Sequence, residues 1–161
     1  MAGVQVHVDD TEVRAALERL HRFAESPAAA MKDAGEYMQR AVDDRFNAQQ
    51  SPDGQAWAPN TPVTLLRKKN PRILHERAGS GLRGSIHYRA SDTEMRQGTD
   101  RVYAAVHQFG AEQGAFGTTS RGAPIPWGDI PARPYLGFSA DDSAEILQIM
   151  EDHIQQRWSQ R

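Results

Sequence analysis

A chain of 161 residues is long enough for one domain with a substantial core, and a net charge of −2 gives it no general pull towards nucleic acid or membrane. A mean hydropathy of −0.68, with no apolar run near the roughly 20 residues of a membrane span, excludes a transmembrane helix. The absence of cysteine excludes a disulfide framework, a thiolate nucleophile and a cysteine zinc site. MAGVQVHVDD lacks the basic-then-apolar order of a signal peptide, so the expectation is a soluble protein made inside the cell.

In chain order, Val4, Val6 and Val8 alternate as in a short strand with one buried face. Asp9 with Glu12 resembles a capping box, and Val13, Leu17, Leu20 and Phe23 recur at helical spacing to about Ala24. Ser26-Pro27 restarts the chain as N-cap and first helical residue of a second helix running to about Ala48. Met31, Met38, Val42 and Phe46 form its apolar stripe, and Ala30, Ala34 and Ala41 widen it with little bulk, so that a sheet or helix can approach closely. Periodicity stops over residues 49–72, where SPDGQAWAPNTPVT sets a Pro-Asp-Gly turn beside Trp57. A long loop in a compact domain is functional or disordered, and an indole that needs a covering surface argues for function.

Ile86, Tyr88 and Ala90 then alternate against His87 and Arg89, Ser91-Asp92-Thr93 turns the chain, and residues 94–98 return as the second strand of a hairpin. VYAAVHQFG reads as helix or strand, with Gly110 favouring helix. A second irregular stretch covers 111–128, and DIPARPYLGF is extended because each proline drives its predecessor out of the helical region. Ser139 and Asp142 cap a last helix carrying Ile146, Met150, Ile154 and Trp158 on one face. The fold class expected is α+β in a single domain, residues 1–161: an antiparallel sheet of hairpins packed by about three helices, with two long loops.

Motifs for catalysis fail on inspection. GSGLRG at residues 79–84 is a literal GxGxxG, but a charged, proline-broken stretch precedes it and a strand pattern follows, so the glycines read as a flexible turn into the hairpin. HERAG at His75 has Gly79 where the second ligand of a zinc helix would stand. His107 reads as a packed or hydrogen-bonded histidine rather than a base. Asp43-Asp44 and Asp141-Asp142 read as solvated or capping acids, since consecutive acids on a helix point apart. No serine sits in a G-x-S-x-G elbow.

Charge is unevenly spread. Residues 64–90 carry Arg67, Lys68, Lys69, Arg72, Arg77, Arg83 and Arg89 against Glu76 alone, whereas Asp141, Asp142, Glu145, Glu151 and Asp152 crowd the C-terminal stretch. Such asymmetry steers one copy onto another or a basic face onto phosphate, or else leaves two solvated faces.

An ordered set of motifs resembles the phage virion morphogenesis family. RF supplies Phe46, and SPDGQAWAP supplies Pro52, Gly54 and Trp57. ILHERAGSGLRGSI supplies Leu74, Gly79, Leu82 and Ile86, and GTDRVYAAVHQFG supplies Gly98, Tyr103, Ala104, His107, Phe109 and Gly110. IPARPYLGFSADD supplies Ile130, Pro131, Arg133, Pro134, Leu136 and Gly137. The family pattern T-G-x-L is broken here by Ala78 and one extra residue, so Gly79 and Gly81 both compete for the turn glycine.

The resemblance implies a structural protein and no enzyme, with no catalytic residues, cofactor or metal. It implies tail completion at the head-proximal end, as a homo-oligomeric ring of sixfold symmetry that lets tail and DNA-filled head join. The partners so implied are further copies, the tail tube and the head–tail connector, with transient contact to passing DNA and none to membrane. The location is the tail neck of the virion, after assembly in the host cytoplasm. On this reading the segments 49–72 and 111–128 reach to a neighbouring subunit, anchored by Trp57, Phe116 and Trp127, or else fold back on their own chain. Arg133 pairs with a neighbour's carboxylate or faces solvent. The alternative is a nucleic-acid-binding neck or assembly module using the basic cluster of residues 67–89.

Overall fold

The computed structural model describes residues 14, 15, 17, 18, 21, 27–68, 70–75 and 81–159. The expected strand through Val4, Val6 and Val8, the Asp9 capping box, the Ser26 cap and Gly79 lie outside these residues, as do Val13, Leu20 and Phe23 of the first helix. Arg14, Ala15, Leu17, Glu18 and His21, from that same helix, are helical.

Helix α1 (Ala28–Ala48) buries Ala30, Ala34, Gly35, Met38, Val42, Arg45 and Phe46, a stripe built on i, i+4 spacing. Met31 and Ala41 sit half-buried at its margins. The small residues admit a close neighbour, as their size implied: a Cβ at Gly35 would overlap the ring of Tyr88. Gln49 ends the helix in the left-handed conformation, at φ 56°.

Segment 49–72 departs from the long loop read in the sequence. Ser51 N–H donates to the Gln55 carbonyl at 2.8 Å and closes the Pro-Asp-Gly turn. Thr61 then caps helix α2 (Pro62–Arg67) by accepting the Thr64 N–H, with Pro62 at the first position. Thr61-Pro62 has the pattern expected at Ser26-Pro27, where Pro27 instead is itself the N-cap and the helix starts at Ala28. Helix α3 (Leu82–Ser85) occupies the supposed flexible turn, with Leu82 buried.

Strands β1 (His87–Ala90) and β2 (Met95–Gly98) form the expected antiparallel hairpin, His87 opposite Gly98 and Ala90 opposite Met95. VYAAVHQFG is helical: α4 (Ala104–Phe109) is closed by Gly110 at φ 78°. A Cβ there would meet the Ile130 carbonyl at 2.8 Å and the Ala132 nitrogen at 2.9 Å. Helix α5 (Ala140–Ser159) starts at the expected cap. Ser139 N–H donates to Asp142 Oδ2 at 2.7 Å, and Asp142 N–H donates to Ser139 Oγ at 2.9 Å. Ile146, Met150 and Ile154 are half-buried on this helix, which packs against α1.

The described residues are therefore compatible with the α+β class, with five helices from Ala28 onwards and one two-stranded sheet. Besides the helical residues between 14 and 21, there are two long helices and three of 4 to 6 residues, which the expectation of about three helices did not include. The short helices form where local caps and turns, rather than a long apolar stripe, decide the backbone.

The core gathers Val42, Phe46, Trp57, Leu82, Ile86, Ala104 and Tyr135, with Ile73, Leu74, Tyr103 and Leu136 packed around it. Phe46 meets Trp57 edge-on at 5.3 Å and Tyr135 at 5.6 Å. Such aromatic pairs add about 0.5–1.5 kcal/mol each beyond the area they bury. Every family motif sends at least one side chain to this cluster, so the motif set marks a packing pattern.

Candidate assembly surface

The extended stretch 130–138 is fixed by side chains from three other segments. Its two prolines remove donors, and several of its remaining groups find partners outside any sheet. Arg133 N–H donates to the His107 carbonyl at 2.7 Å, and Trp57 Nε1 donates to the Pro134 carbonyl at 2.8 Å. Gln108 Oε1 accepts the amides of Tyr135 and Leu136 while its Nε2 donates to the Leu136 carbonyl. Arg45 donates to the carbonyls of Tyr135 and Gly137 and forms a buried ion pair with Asp142. Sequence reading passed over Arg45 and Gln108, because a polar residue on a helix carries no mark of the distant carbonyl it will meet.

Asp142 thus does more than cap α5. Burial raises its pKa, but the Ser139 hydrogen bonds, the Arg45 charge and the Tyr37 hydroxyl outweigh burial, and the carboxyl sits below the usual range. Burial and the same carboxylate push the Tyr37 hydroxyl up. Burial, with Tyr103 nearby, pushes Tyr135 up to about 12, while its hydroxyl donates to the Ala104 carbonyl.

Trp57 is corrected as an anchor for a neighbour. It is 5% exposed, and its ring and its N–H are both engaged within its own chain. Phe116 and Trp127 are the opposite case, 56% and 71% exposed. They stand on a folded excursion, residues 111–130, whose two arms pair with each other. Ala111 and Ile130 exchange hydrogen bonds at its base. Further out, Phe116 N–H donates to the Ile125 carbonyl, Ile125 N–H to the Gly117 carbonyl, and Thr119 N–H to the Ala123 carbonyl, each at 2.8 Å. Gln113 adds bonds to Asp129 and to the Trp127 carbonyl. The result is a hydrogen-bonded frame with Phe116, Ile125 and Trp127 turned to solvent.

Arg133, left open in the sequence, is buried, and donates from Nε and Nη2 to the carbonyls of Ala58 and Pro59 at 2.8 and 3.0 Å. His107 stands edge-on to Tyr103 at 5.9 Å and lines a cavity of about 470 Å³ with Arg133, Leu74, Leu82, Ile130 and Pro131. Of the signature residues, Phe109 and Pro131 are exposed, whereas Phe46, Leu82, Ile86 and Ala104 are core. Pro52, Gly98, Leu136 and Gly110 are half-buried, and Gly54 and Gly137 lie exposed in turns at positive φ.

Three of the seven cations in the basic cluster bond within their own chain. Arg83 pairs with Asp43 at 2.7 Å and donates to Asn47, Arg72 donates to the Asn47 carbonyl, and Lys68 to the Arg72 carbonyl. Lys69 and Arg77 lie outside the described residues, and Arg67 and Arg89 are exposed. Among the described residues no group of three metal-ligating side chains comes together and no helix is long and apolar enough to cross a membrane.

The core is assembled from five scattered motifs, and the exposed rings of Phe116 and Trp127 lie outside it. The chain belongs to the phage virion morphogenesis family, whose model matches residues 8–155. It is similar to the Mu-like prophage FluMu G protein 2 of Haemophilus influenzae, at 30% identity over 94% of this chain and 96% of that one. It is also similar to the tail completion protein S of Escherichia phage P2, at 33% identity over 69% of this chain and 73% of that one. No solved structure gives a significant match.

Proposed function

We propose that this chain is a structural virion protein that completes the tail at its head-proximal end. Copies assemble as a sixfold ring between the tail tube and the head–tail connector, after synthesis in the host cytoplasm, without a catalytic step or a cofactor. Family membership and the name of the P2 relative support tail completion. The observation that carries ring assembly is the excursion 111–130. It holds Phe116, Ile125 and Trp127 in water on a frame closed by its own hydrogen bonds, and exposed apolar groups on such a frame are the usual core of an interface. A heterologous contact, one patch meeting a different patch on the next copy, closes into a ring. The nucleic-acid reading has less support, since Lys68, Arg72 and Arg83 already serve their own chain.

Native mass spectrometry of the full chain and of a chain lacking residues 112–123 tests the reading. The full chain should appear as a multiple of its mass, alone or within purified virions, and the shortened chain as a monomer. A full chain that is monomeric in both settings, or tails that join heads without it, would overturn the reading.

A further inference from the structure

Among the described residues two arginines are buried, and only one of them has a carboxylate partner. Arg45 and Arg133 are each 6% exposed. Arg45 is neutralised by Asp142. Arg133 has only the neutral carbonyls of Ala58 and Pro59, on Nε and Nη2; among the described residues Nη1 has no acceptor and no acid forms an ion pair with it. Asp129, the acid on the wall of the adjoining cavity, already accepts the Gln113 N–H at 2.8 Å through Oδ1. A guanidinium held largely out of water without an ion pair is incompletely compensated, and burial accordingly lowers its pKa.

The space beside Arg133 is hollow, about 470 Å³, with an apolar wall of Leu74, Leu82, Ile130 and Pro131 and a rim that includes Thr64 and Lys68. An apolar wall suits the methylene stem of an acidic side chain, and a guanidinium edge suits the carboxylate at its tip. The chain also carries acids in search of a cation. Asp141, Glu145 and Asp152 lie on one outward stripe of α5, are exposed, and form no ion pair among the described residues. Within one chain Asp141 borders a different cavity, beside Tyr37, Asp44 and Asp53.

We propose that the cavity at Arg133 is a carboxylate socket, filled by an acidic side chain from the outer stripe of α5 in a second copy. The contact is heterologous, with a cationic socket on one copy and an anionic ridge on the next, and it rests on the ring reading above.

Sedimentation velocity over a concentration series tests it with the full chain, R133Q, E145Q/D152N and the triple variant. Each of the first two variants weakens self-association by about tenfold or more, because a desolvated charge loses its partner. The triple variant is no weaker than the worse of the two, because both remove one interaction. Should R133Q not fold, P131C/E145C replaces it: the chain has no cysteine of its own, so a disulfide-linked ladder arises only when both positions are present. An assembling parent chain whose variants associate as it does, or lose affinity additively, or form no ladder overturns the socket and leaves the ring reading standing. A parent chain that is monomeric at every concentration overturns both.

Discussion

Residues 49–72 and 111–130 read alike in the sequence, each a run of prolines, glycines and turn residues around a tryptophan, and the fold puts them to opposite uses. The first is stitched into the core. Trp57 packs on Phe46 and donates its N–H to Pro134, and a capped helix, α2, fills what looked like loop. The second bonds mainly to itself and leaves Trp127 in water. Composition announces an irregular backbone but says nothing about where an indole points. That is settled by whether a distant carbonyl and a ring face are waiting for it.

Truncating the two tryptophans is the most direct way to break the contrast. Trp57→Ala should cost about 3–5 kcal/mol of unfolding free energy, since it opens a cavity against Phe46 and leaves the Pro134 carbonyl without its donor. Trp127→Ala should change stability by no more than about 0.5 kcal/mol, the usual range for an exposed side chain. Denaturant unfolding of the two variants checks this, and equal losses would erase the distinction.

The Arg45–Asp142 pair sharpens the first half of the comparison, because it pins the extended stretch that receives Trp57. Asp142→Asn should cost about 3 kcal/mol at neutral pH by leaving Arg45 buried without its charge. The sign with pH follows from the lowered pKa of Asp142. Its contribution is complete above the unfolded aspartate value of about 3.9 and is lost as pH falls through the lower folded value. The gap in stability between the parent chain and Asp142→Asn should therefore stay constant from pH 7 to about 5 and shrink below about pH 4. A gap that closed near neutrality would place the charge elsewhere.

What the sequence made legible follows the range of the interaction concerned. The α1 stripe, the Ser139–Asp142 cap, the hairpin and the Gly110 helix end are written within a few residues of themselves, and periodicity or cap chemistry finds them. Helix α2 was legible too, through Thr61-Pro62, but lay hidden in a proline-rich stretch. Arg45, Gln108 and Gly35 gave no local signal. Arg45 and Gln108 meet backbone far along the chain, and Gly35 is required by a tyrosine three elements away. The family motifs pointed at the right segments but could not tell a core residue such as Phe46 from an exposed one such as Phe109.

Gly110 tests the hinge between core and excursion. Its φ of 78° is strained for any L side chain, and a Cβ would press on the Ile130 carbonyl and the Ala132 nitrogen, both backbone atoms that cannot swing away. Gly110→Ala should cost about 2 kcal/mol in thermal unfolding, from strain and from displacement of the Ala111–Ile130 pairing at the base of the excursion. Gly117→Ala has no atom within 4 Å to meet, so it carries the strain of its φ of 88° alone and should cost less. Similar losses at the two sites would mean that the base of the excursion is not held against the body.

The smallest effect on stability should accompany a large effect on association. Phe116→Ala with Trp127→Ala removes two exposed rings and leaves the Gln113 hydrogen bond in place, since Gln113 bonds the carbonyl of Trp127 and not its indole. Unfolding should shift by less than about 1 kcal/mol for the pair. If these rings are the centre of a contact between copies, their loss removes its anchors, and the apparent association constant should fall by about a hundredfold, on the scale of interface hot spots. Measuring both quantities on one preparation separates the cases. A pair that loses stability and keeps its assembly would make the excursion part of the fold and return 111–130 to the same class as 49–72.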